Sequence, residues 1–110
     1  MIVMNLVVSP VPNRTAELIE ALRLHMGRTQ VCPGCIECHI SRDAEEKNVV
    51  HYQEAWNSWR ELEKHIRSHR FSCILELMEQ SSNTPNLSFN DVQEIRGMEY
   101  VRNLRKQTPT

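Results

Sequence analysis

The sequence lacks a basic stripe. Its 13 lysines and arginines are scattered along the chain beside 14 acidic residues, for a formal charge of −1. Nucleic-acid binding usually draws on clustered cations, so no nucleic-acid partner is expected. Long apolar runs are missing too. The opening MIVMNLVV is short, has no basic flank and runs into Pro10 and Pro12, so it reads as a strand rather than a signal peptide or membrane span. No membrane partner is expected, the thiols should stay reduced, and a cytoplasmic location follows. Internal repeats and low-complexity tracts are also missing. With 110 residues and an apolar fraction of 40%, the chain can fill a single core.

What the chain does have, conspicuously, is VCPGCIEC at residues 31–38, which holds three of its four cysteines. A metal or iron–sulfur site would need these thiolates to converge on one point. If a strand starts at Cys35, strict alternation sends Cys35 and Cys38 to opposite faces, and no downstream CxxC or CxxH completes a ligand set. A redox reading of Cys32-Pro33-Gly34-Cys35 needs a helix N-terminus, where the thiol pKa falls, but here the motif leads into a strand. The expectation is therefore no metal and no redox role for Cys32, with Cys35, Cys38 and Cys73 acting as small apolar fillers.

Periodicity gives the elements. Residues 2–8 alternate as a strand, with Ile2, Met4, Leu6 and Val8 on one side and Val3, Asn5 and Val7 on the other. Asn13 can cap a helix to about Arg28 with the stripe Leu18, Ile19, Leu22 and Met26. Residues 35–42 and 48–56 read as strands joined by the charged hairpin loop Asp43–Lys47. Ser58 and Glu61 have capping-box spacing and start a helix carrying Trp59, Leu62 and Ile66. A second helical piece carries Phe71, Ile74, Leu75 and Met78. Residues 87–95 suggest a last strand, 97–106 a weak amphipathic helix, and 107–110 a loose tail. The order β-α-β-β-α-β predicts an α+β, ferredoxin-like split βαβ sandwich.

A hairpin closed symmetrically about its charged loop sets His39 opposite His51, with Glu37, Gln53 and Asn5 on the same face. The other face then carries Ile36, Cys38, Ile40, Val50, Tyr52, Glu54 and Trp56. A sheet with helices on one side must cover its second face, and pairing with another copy does so, which predicts a homodimer. Glu54 follows an apolar run and, if buried, needs a donor: an arginine, a backbone amide, or a role as acid or base. His39 and His51 read as a cross-strand polar pair, and the Arg67-Ser68 break separates His65 from His69.

Several of these positions together resemble the antibiotic biosynthesis monooxygenase family. They are Pro33-Gly34-Cys35 before the second strand, Arg42-Asp43 at its end, Glu54-Ala55-Trp56 closing the third, and the helical run Leu62 to Phe71 with His65, Ser68 and His69. The resemblance covers residues 1–96, leaving 97–110 as a C-terminal helix and tail of the same domain. It implies a dimeric α+β barrel and a cofactor-independent monooxygenase that oxidises a small quinol or hydroxylated aromatic with O2. His65 would then be the catalytic base and Asn5 an oxygen-orienting donor. Trp56, Trp59 and Phe71 would wall the substrate pocket, with His69, His39 and His51 as further substrate-binding candidates. The alternative within the same fold is a non-catalytic ligand-binding or stress-related module. Haem degradation is disfavoured, because the positions for its Trp and His hold His65 and Leu75.

Overall fold

The computed structural model describes residues 1–107, so the expected tail falls, from residue 108, outside the described residues. Four strands, β1 (Ile2–Val8), β2 (Cys35–Arg42), β3 (Val50–Trp56) and β4 (Asn86–Asp91), form one antiparallel sheet in the order β2-β3-β1-β4. Helices α1 (Thr15–Thr29), α2 (Trp59–Arg67) and α3 (Ser72–Glu79) complete the ferredoxin-like α+β arrangement, and a further helix, α4 (Met98–Lys106), follows β4. No helix among the described residues is long and apolar enough to cross a membrane.

The alternation of β1 decides which face is covered. Ile2, Met4, Leu6 and Val8 are buried, whereas Val3, Asn5 and Val7 are only half-buried. Met4, Leu6 and Val8 meet Tyr52 and Val50 of β3, Leu18, Ile19 and Leu22 of α1, and Phe71, Ile74 and Leu77. Trp56 joins Ile2 and Leu62 in a smaller cluster that anchors α2 to one end of the two central strands. Burying a leucine as fully as Leu62 contributes about 1.5–3 kcal/mol, enough to fix the register of so short a helix. Ser58 caps α2 as expected, its hydroxyl accepting from the Glu61 amide at 3.4 Å. The Glu61 carboxylate lies instead against Gly34, which takes φ +88°.

Four expectations need correcting. Asn13 lies in a 3-10 turn, Pro12–Arg14, and does not cap α1. The strand from residue 87 ends at Asp91 rather than Ile95. His39 faces Gln53 rather than His51, whose partner is Ser41. Here the Asp43 carboxylate accepts the amides of Glu45 and Glu46, and the Asp43 amide donates to Val49, so the loop is centred one residue later and every partner moves by two. Lastly, a β-bulge separates the pairs Cys35↔Trp56 and Glu37↔Ala55. The extra residue, Ile36, is expelled to 47% exposure rather than joining the apolar face. It also inverts the parity of Cys35, whose sulfur lies 3.6 Å from that of Cys38 on the same side. Burial raises the pKa of both thiols, so they rest as neutral packing groups.

The second face of the sheet carries no helix. Asn5, Gln53, His39 and His51 share a recess there, with Gln53 Nε2 donating to Asn5 Oδ1 at 2.8 Å. The apolar residues of α4 are little covered by the described residues: Met98, Val101 and Leu104 are all exposed.

Candidate active site

Glu54 is the chemical centre of the helix-covered face. It is fully buried in the middle of the sheet, where an isolated carboxylate would be prohibitively costly. Three donors reach it: Tyr52 Oη at 2.6 Å and His25 Nε2 at 3.0 Å to Oε2, and Trp56 Nε1 at 3.1 Å to Oε1. His65 Nε2 stands off Oε1 at 3.4 Å. Burial alone would push the carboxyl up; the hydrogen bonds from His25 and Tyr52, with the His65 imidazole close by, outweigh it and hold the pKa down at about 2. Burial, together with the same negative charge, drives the Tyr52 phenol upward, keeping it a donor. Glu54 thus finds its donors in two imidazoles, an indole and a phenol rather than in an arginine.

The two imidazoles play different parts. His25 comes from α1, where it follows Leu18 and Leu22 along the buried stripe and precedes Thr29. The Thr29 hydroxyl donates to the His25 carbonyl at 2.7 Å, so at 3.2 Å from Nε2 it can only accept. With two acceptors around it, Nε2 carries the proton, and His25 is a fixed donor to Glu54. His65 comes from α2 and is 4% exposed, yet neither ring nitrogen has a hydrogen-bond partner among the described residues. Its ring lies over Trp56 at 4.8 Å between centroids and meets the edge of Phe71 at 5.6 Å. These aromatic contacts fix its orientation while leaving its proton chemistry unspent.

His25, Glu54 and His65 offer ligand atoms within 4.8 Å of one another, the composition of a metal triad. Two features oppose that use. The Glu54 oxygens are already bonded by Tyr52 and Trp56. The Nδ1 atoms of both histidines lack the acceptor that normally orients a ligating imidazole. The geometry fits a hydrogen-bonded charge network better than an ion.

A cavity of about 820 Å³ opens above His65, between α2 and the turn that precedes β2. Trp56 and His65 are its buried floor, Val31, Cys32 and Pro33 one wall, and Arg60, Lys64, Arg67 and Arg70 its exposed rim. Arg70 Nη1 reaches the Cys32 sulfur at 2.7 Å. Of the sequence-derived candidates, His65 and Trp56 therefore share one cavity, and Phe71 supports His65 from the core. The others lie elsewhere. Asn5, His39 and His51 line the recess on the opposite face of the sheet, away from the cavity above His65. Trp59 is exposed and donates to Asp91 at 3.4 Å, and His69 is exposed on a 3-10 turn after α2. Sequence reasoning missed His25 and the cationic rim. His25 had a signal, since it falls on the apolar stripe of α1, where a polar residue implies a buried partner.

A sequence profile described as antibiotic biosynthesis monooxygenase matches residues 1–76. Among solved structures, the chain is similar to a candidate antibiotic biosynthesis monooxygenase from Deinococcus radiodurans, with TM-score 0.79, 16% identity, and 88% of this chain and 97% of that one covered. It is also similar to a candidate monooxygenase of the same description from Nitrosomonas europaea (TM-score 0.75, 15% identity, 86% and 100% covered). A third, from Caulobacter crescentus, has TM-score 0.75 at 19% identity with 84% and 90% covered. No functionally curated protein matches the chain in sequence.

Proposed function

The chain belongs to the antibiotic biosynthesis monooxygenase family, and on that premise we propose that it oxidises a small quinol or other hydroxylated aromatic with O2, without a cofactor. The observation that carries this reading is His65: a nearly buried imidazole with both nitrogens unspent, floored by Trp56 and set against a permanently charged carboxylate. With Nε2 facing Glu54, Nδ1 is the nitrogen left to accept the hydroxyl proton of the substrate, once substrate entry uncovers this buried atom. The imidazolium so formed is stabilised by Glu54 in a site that largely excludes water.

The deprotonated quinol is electron-rich enough to reduce O2 directly. One oxygen atom enters the ring and the other leaves as water, so that a quinol and O2 give a hydroxyquinone and H2O with no external reductant. The chain's own contribution is to take the proton, hold the aromatic ring against Trp56 and keep the reacting end dry. The same reading includes a homodimer, in which a second copy covers the half-buried Val3, Asn5, Val7 and Gln53 of the helix-free face. Oxygen uptake with a panel of quinols tests the reaction, and light scattering at micromolar concentration tests the dimer.

A further inference from the structure

Four cations ring the cavity above His65. Arg60, Lys64 and Arg67 form one stripe of α2, and Arg70 comes from the turn after it. The one carboxylate in the lining is Glu61, whose buried Oε2 has no partner among the described residues. Elsewhere Arg14, Arg23, Arg96 and Arg102 each pair with a nearby glutamate, whereas Arg28, Arg42 and Arg105 stand apart in the fold without such a pair among the described residues. Among the described residues, none of the four rim cations is within salt-bridge distance of a carboxylate. In a chain of net charge −1, this is a local concentration of unpaired positive charge around one concavity.

A solvated helix face is the simpler explanation, and part of the pattern fits it. Lys64 and Arg67 lie in the last turn of α2, where the helix dipole favours cations. Arg60 is in the first turn, where the dipole disfavours a cation, and Arg70 is beyond the helix altogether. The spacing also stacks like charges on one stripe, a repulsion that an isolated surface helix would avoid. What the four have in common is the cavity.

We infer that this cavity selects a hydroxylated aromatic that also carries a carboxylate, bound with its hydroxyl at the His65 floor and its carboxylate at the rim. Guanidinium groups present paired N–H donors that match a carboxylate, and the rim is exposed enough to admit one without desolvating it fully. The apolar ring occupies the space between, against Trp56 and Val31. The hydroxyl end of this assignment rests on the proposed monooxygenase reading; the carboxylate end stands on the rim cations alone.

The test compares two probes under anaerobic conditions by calorimetry: 1,4-dihydroxy-2-naphthoate and its neutral analogue 1,4-dihydroxynaphthalene. The carboxylate is expected to bind at least about tenfold more tightly at low ionic strength, with most of that advantage lost at half-molar salt because rim charges are screened. In the variant Arg60→Gln/Arg67→Gln, the ratio of the two affinities should fall toward one. Equal affinities in the unmodified protein, or a preference indifferent to salt, would overturn the inference, and the salt titration needs no variant to fold. Subsequent admission of air separates the two proposals. Selective binding of the acid without O2 uptake would sink the monooxygenase reading and leave the anion site standing; turnover of the neutral diol without preference for the acid would do the reverse.

Discussion

His65 approaches Glu54 to 3.4 Å through Nε2 without a hydrogen bond, while His25 is bonded to the other oxygen of the same carboxylate at 3.0 Å. One imidazole is held and the other is held back. His25, Tyr52 and Trp56 hydrogen-bond Glu54, and His65 adds a nearby imidazole that also favours the charged carboxylate.

Glu54→Gln should expose how much this network holds. The amide puts a donor where the carboxylate accepted, leaving at least one buried donor unmatched. Removing one partner of a buried charged network typically costs about 3–5 kcal/mol. Urea unfolding at pH 7 should show a loss of that order. Tyr52→Phe, which deletes only the 2.6 Å bond, should cost less, about 1.5–3 kcal/mol.

Acid stability follows from the same group. The Glu54 carboxyl is held at about 2 in the fold against 4.5 for a free glutamate. A depressed carboxyl pKa stabilises the fold above the unfolded value and loses that contribution as pH falls through the folded one. The contribution of Glu54 to the unfolding free energy should therefore be flat above pH 5 and fall between about pH 4.5 and 2, by up to about 3 kcal/mol, drawing the urea midpoint down with it. Glu54→Gln should flatten that limb. An equally steep limb in the variant would assign acid lability to other carboxylates.

Gly34 is the point where α2 meets the turn before β2. Its φ of +88° suits only glycine, and a Cβ there would run into the Glu61 side chain. Gly34→Ala should cost more than the roughly 1 kcal/mol of a conformational penalty alone, because backbone and side chain both resist. Adding Glu61→Ala should recover part of the loss in thermal denaturation; no recovery would mean that the backbone strain dominates.

Much of the fold was legible because it rests on alternation and helical periodicity, which the core enforces. The strands at 2–8 and 35–42 and the helical stripes of α1 and α3 all emerge from that pattern. What failed were local chain events that periodicity does not register. The bulge at Ile36 inverted the parity argument for Cys35 and Cys38. Asp43's bonds to two loop amides moved the hairpin centre and re-paired His39. The site was half legible. His65, Trp56 and Glu54 were visible as polar or bulky groups in a core pattern. Asn5 was expected beside His65, yet its odd position in β1 sends it to the opposite face from Met4 and Leu6, where Gln53 engages it. The cationic rim went unseen because Arg60, Lys64 and Arg67 read as ordinary surface charge until a wall faces them.

The most direct test is O2 consumption with a quinol panel, comparing the unmodified protein with His65→Gln, which keeps side-chain volume in a buried position. The expected result is uptake by the unmodified protein with hydroxyquinone formed. Uptake should fall by at least about a hundredfold in the variant, the scale of general-base catalysis, while circular dichroism and thermal midpoint stay near those of the parent. Undiminished uptake in a folded His65→Gln protein, or no uptake by the parent with any quinol, would contradict the account.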